Sequence, residues 1–146
     1  MLILNQDLWS THRIVKVSSS SHEKWSQKDA TIITQCVLEQ IKAHLTEVKD
    51  TEEKMVLIVD LSKGSFPPWM QALRIAKFFV SMRSLLVASL DYTIMHVSTE
   101  DQKMWINRIL KIYTPARPVR MLEDKEKIKE MLKKRKVVAT AVFCKQ

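Results

Sequence analysis

The residues of this chain whose types and spacing could do chemistry are an acid, a histidine and three serines: Asp60, Ser62, Ser65, His96 and Ser98. Asp60 closes the apolar run Met55 to Asp60, His96 lies inside a second one, Tyr92 to Val97, and each run leads into serine. If the two runs are neighbouring parallel strands, their carboxyl ends carry an acid, an imidazole and a hydroxyl to the edge where open α/β sheets bind ligands. That is the raw material of a Ser-His-Asp hydrolase. Such an enzyme also needs its nucleophile on a strained turn and backbone donors for an oxyanion. The turn here, Ser62-Lys63-Gly64-Ser65, holds the only glycine in the chain. His96 therefore reads as a hydrogen-bonded core histidine and Asp60 as a cap for the N–H groups of the following loop. No catalytic residue is assigned.

The same scarcity of glycine argues against nucleotides. A P-loop needs two glycines and a Rossmann turn three, so that backbone can approach phosphate closely. Gly64 stands alone, and Pro67 and Pro68 remove two donors at the start of the next helix. His12, His22, His44 and His96 show no ligand spacing, and Cys36 and Cys144 form no CxxC pattern. No metal or cofactor is expected, and the two cysteines read as buried or idle free thiols of a reducing cytoplasm.

The elements that would position these residues follow from periodicity. Residues 2–8 and 12–18 are β-like and close enough to pair as a hairpin through Trp9-Ser10-Thr11. Ser26 and Asp29 open a helix whose apolar positions, Ile33, Val37, Ile41, Leu45 and Val48, recur every three to four residues. The run at Met55 to Leu61 is apolar without alternation, as in a strand covered on both faces. A helix is expected from Pro68 to about Val87, a strand at Tyr92 to Val97, and a helix capped by Ser98 or Thr99 that Pro115 stops. A strand weakened by Pro118 follows at a sheet edge, then a helix over 123–135, and 136–143 as a final strand or tail. Strands alternating with helices imply α/β architecture: one mixed sheet with an N-terminal antiparallel hairpin, parallel βαβ units and four helices. With 146 residues, 46% apolar and 27% charged, the chain reads as one domain over 1–146 with a basic segment at 133–146. The start, Met1 to Arg13, lacks the pattern of a signal peptide, and Arg74, Lys77 and Arg83 interrupt the longest apolar segment. A cytoplasmic protein without a transmembrane segment is expected.

Charge is distributed unevenly. Residues 1–102 carry 11 Lys and Arg against 12 Asp and Glu, whereas residues 103–146 carry 13 against 4, so the net charge of +8 arises in the C-terminal part. Arg117, Arg120, Lys133, Lys134, Arg135 and Lys136 are the candidate contacts for a polyanion, either nucleic acid or an anionic membrane. Lys133 to Lys136 also suit the end of a helix, whose dipole favours cations there.

The succession MVLIVDLSKGSF, helix, YTIMHVS, helix, RPVRML, EDKEKIKEML resembles the STAS-like family. Its members are bacterial anti-sigma-factor antagonists, the cytoplasmic tails of anion transporters and loosely related stand-alone domains. The resemblance covers Leu2 to Lys134 and implies a non-enzymatic regulatory module that binds a protein partner, in some cases another copy of itself. The family's phosphorylated Asp-Ser-Ser-Gly turn has no counterpart. Pro67, Pro68, Trp69 and Met70 stand in its place, so the phospho-switch does not carry over. Asp60, Ser62, Ser65, Phe66, Trp69, His96 and Ser98 are then the candidate ligand or partner surface. A second resemblance, to the CRAL-TRIO lipid-binding fold, implies a cavity for a hydrophobic ligand lined by Trp69, Met70, Phe78, Phe79 and Met82.

Overall fold

A computed structural model describes residues 2–5, 13–19, 27–62 and 69–133. Five strands form one sheet in the order of the chain: β1 (Leu2–Asn5), β2 (Ile14–Ser19), β3 (Met55–Asp60), β4 (Leu90–His96) and β5 (Val119–Leu122). Strands β2 to β5 are parallel and β1 joins β2 antiparallel. The register pairs Asn5 with Lys16, and the Trp9-Ser10-Thr11 corner lies outside the described residues. Arg13 enters β2 with φ 56°, in the left-handed region, and its carbonyl accepts the Val56 N–H at 3.0 Å.

The helices are α1 (Gln27–Val48), α2 (Trp69–Ser81), α3 (Arg83–Ser89), α4 (Glu100–Ile112) and α5 (Lys125–Lys133). The described residues thus hold five helices where four were expected. The continuous apolar pattern after Pro68 hides a break at Met82, which leaves helical geometry at φ −111° and ψ 31°. Ser81 turns its hydroxyl back to the Phe78 carbonyl at 2.6 Å, competing with the backbone ladder at that point. Restarting at Arg83 lets Met82 and Leu86 both reach the core.

Sequential strand order with right-handed crossovers sends every connecting helix to the same side. Val15, Val17, Met55 and Leu57 accordingly pack on α1 and on the α2–α3 pair, while Val59 and Met95 meet Ile106 of α4. The other face belongs to α5, where Ile128 and Leu132 cover Ile14, Val56, Ile58 and Ile94. Burial on both faces explains the unbroken apolar run of β3. A register shift between β3 and β4 pairs Met55 with Leu90 and Val56 with Tyr92, leaving Asp91 as the extra residue of a bulge. Pro118 precedes edge strand β5 and offers its carbonyl to the Thr93 N–H at 2.9 Å.

Candidate functional site

The parallel register sets Asp60 opposite His96 at the carboxyl ends of β3 and β4, on the face covered by α5. Both are buried, at 5% and 6% exposure. Asp60 Oδ1 accepts the Ser62 N–H at 3.0 Å and the Ser62 hydroxyl at 2.5 Å, and lies 3.3 Å from His96 Nδ1. Its Oδ2 is 4.0 Å from Lys16 Nζ. Burial pushes the Asp60 carboxyl up, but the two Ser62 donors, with His96 and Lys16, outweigh it and hold its pKa below the ordinary value of 3.8. The far nitrogen of His96, Nε2, is 3.3 Å from the Glu123 carbonyl, where β5 gives way to α5. Both ring nitrogens face acceptors, so a neutral ring donates to one of them and an imidazolium to both.

This arrangement inverts a catalytic triad. In a triad the histidine stands between serine and acid and takes the serine proton. Here the acid stands between serine and histidine, and the Ser62 hydroxyl donates to Asp60. The imidazole lies between a carboxylate and a backbone carbonyl.

Around this cluster the strand ends are laced to α4. Ser98 donates its hydroxyl to the Ser62 carbonyl at 2.9 Å. Gln102 donates Nε2 to the Leu61 carbonyl at 2.9 Å and accepts the N–H groups of Ser98 and Thr99 at 2.5 and 3.3 Å. Thr99 in turn accepts the Gln102 N–H at 3.2 Å, completing a capping box. Gln102 was not among the sequence candidates, although Thr99-x-x-Gln102 is the pattern that would have revealed it. Ser65 and Phe66 lie outside the described residues.

Trp69 belongs to a different assembly. At the first position of α2 its ring meets Trp105 of α4 edge to face, with centroids 6.4 Å apart and planes at 85°. The Arg108 guanidinium lies 4.6 Å from the Trp69 ring, within cation–π range. Met70 and Met104, each beside one of these tryptophans in sequence, are 61% and 67% exposed. Met70, Arg74 and Lys77 recur at helical spacing along one exposed stripe of α2, and Met104, Arg108 and Lys111 do so on α4. No acidic residue occurs in α2 or α3.

The basic candidates are scattered. Arg117 donates Nε to the Leu90 carbonyl at 3.0 Å, Arg120 pairs with Ile94 in β5, and Lys133 ends α5. Lys134, Arg135 and Lys136 lie outside the described residues. No group of three or more His, Cys, Asp or Glu among the described residues is placed to hold a metal ion.

A cavity of about 160 Å³ lies between the sheet and helices α1 to α4. Of the five residues expected to line it, Phe79 does so, whereas Trp69, Met70, Phe78 and Met82 do not. Trp69 packs on Trp105, and Phe78 and Met82 pack on the other apolar residues of the main core.

Fold and site together define an α/β protein with four parallel strands in sequential order and a bonded polar cluster at their carboxyl ends. None of the described helices is long and apolar enough to cross a membrane. Comparison with protein-family models, with curated proteins and with solved structures gave no match for the chain.

Proposed function

We propose that this chain is a non-enzymatic interaction module of STAS-like fold that binds a protein partner through the outer face of α2 and α4. The observation that carries this is the surface around Trp69, Trp105 and Arg108, where exposed methionines neighbour the edge-to-face aromatics in sequence and the charges on α2 are all basic. Arginine and aromatic anchors with flexible methionines are the residues that dominate protein interfaces. Arg74, Lys77, Arg108 and Lys111 favour a partner segment with acidic residues around an apolar anchor, placed away from the exposed Glu100 and Asp101 in the first turn of α4. The STAS-like reading is supported by an antiparallel first strand followed by four parallel strands with intervening helices. The binding rather than catalytic role is supported by the inverted Ser62–Asp60–His96 order.

Selection from a displayed peptide library tests it. Wild type is expected to enrich peptides that combine Asp or Glu with Trp, Phe or Leu, and Arg108→Glu to lose them while remaining folded. Retention of polyanions alone, eluting below about 0.3 M salt, would replace it with binding through the basic C-terminal part.

A further inference from the structure

We infer that the cavity beneath α2 is a binding site for a small neutral apolar molecule, a single aromatic ring or a hydrocarbon of that size. Close-packed interiors hold few voids larger than a water molecule, and one of about 160 Å³ is an order of magnitude beyond what a single ordered water needs. Its origin is visible in the sequence of α2. Where α1 offers Val37, Leu38 and Ile41 to the interior, the buried stripe of α2 offers Ala72 and Ala76, and these small side chains line the cavity together with Leu57 and Val59 of β3. A void of this kind costs stability in proportion to its volume, because the atoms around it lack contacts on one side. A ligand that fits restores those contacts and, by binding the folded chain alone, stabilises it.

The walls decide the chemical class. They expose almost no polar atoms, so a water inside would lack the two to four partners it needs. An apolar void of roughly 150 Å³ stays dry and takes up benzene. The polar groups on neighbouring residues are engaged elsewhere. Arg117 is exposed and donates Nε to the Leu90 carbonyl at 3.0 Å, and the Tyr113 oxygen has the Ala116 backbone as a hydrogen-bond partner. A hydroxyl or a charge carried into the cavity would therefore give up its water with nothing in exchange. Volume sets the size of the ligand: the cavity is well below the roughly 300–1,000 Å³ of drug-sized pockets, so a long-chain lipid does not fit.

Methyl NMR titration of the full chain with toluene, and with phenol as its near-isosteric polar counterpart, decides the matter. Saturable shifts are expected at Leu57, Ala76 and Ile109, with toluene at least about tenfold tighter than phenol, the effect of one hydroxyl left without a partner. Toluene should also raise the melting midpoint as its concentration rises. Ala76→Leu should abolish binding while keeping or raising the unfolding midpoint, with Ala76→Val as the milder filling. Arg108→Glu, on the outer face, should leave toluene affinity unchanged, so that a failure of the docking surface and a failure of the cavity are read separately. Absence of saturable shifts in wild type, or undiminished toluene binding by folded Ala76→Leu, overturns the site. Phenol binding as tightly as toluene overturns the apolar class, and strong destabilisation by both Ala76 variants shows that no space is present and overturns the proposal as a whole.

Discussion

The two faces of the sheet are made by alternate residues of the same strands, yet they use space and polarity in opposite ways. On the α5 face, Ile14, Val56, Ile58 and Ile94 close against Ile128 and Leu132, and Asp60 and His96 end the strands with their polar atoms engaged. On the helical face, four helices cover an apolar layer that retains a cavity, and Thr34 of α1 keeps a buried hydroxyl with no hydrogen-bond partner. Residues that look reactive are therefore locked into structure, while the face that looks like plain core retains unused volume and, on its outer surface, exposed methionines and arginines. At Asp60 and His96 the reactive residue types are bonded to Ser62, to each other and to the Glu123 carbonyl.

Five substitutions test this contrast. The largest effect belongs to Asp60→Ala, which strands the His96 ring and the Ser62 donors in a buried place and should cost about 3 kcal/mol in urea unfolding. Because Asp60 has a lowered folded pKa, its contribution is fully present above the ordinary value of 3.8 and is lost as pH falls from there through the lower folded value. Asp60→Asn should flatten that part of the stability-against-pH curve, and an unchanged acid limb would mean that the cluster is not coupled to folding. Enlarging a core residue comes next. Val56→Leu, on the α5 face, should destabilise by about 2 kcal/mol through overpacking, whereas Ala76→Leu on the helical face should be neutral or stabilising by thermal or urea melts. Equal penalties would erase the difference between the faces. The smallest effect is Thr34→Val, which removes an unpartnered hydroxyl and should raise stability by about 1 kcal/mol; a loss of stability would mean that the hydroxyl is bonded.

Legibility in the sequence followed the same divide. The facing of Asp60 and His96 was readable because each sits near the carboxyl end of an apolar run and parallel strands in register must bring such ends together. Asp60 as a cap of its own loop was readable from its place at a strand end before that loop, and the N-cap was narrowed to Ser98 or Thr99, of which the structure uses Thr99. The break at Met82 escaped because it involves neither glycine nor proline: the cause is a serine hydroxyl turned back on the helix, together with a methionine that packs better outside it. The Trp69–Trp105–Arg108 stack depends on which helices become neighbours, and local periodicity does not carry that information. The cavity was least legible. Ala72 and Ala76 are ordinary helix residues, and their small size becomes a void only against Leu57 and Val59. The expected lining was therefore drawn from bulky residues, of which only Phe79 reaches the cavity.

Whether binding belongs to the helical layer rather than to the polar strand ends is tested most directly by an amide chemical-shift map, recorded with an acidic peptide selected on the wild-type protein. Shifts gathered on Met70, Arg74, Met104 and Arg108, with Asp60 and His96 unmoved, are the result expected. Shifts centred on Asp60, Ser62 and His96, with α2 and α4 silent, would contradict the assignment and return the polar cluster to the role of binding site.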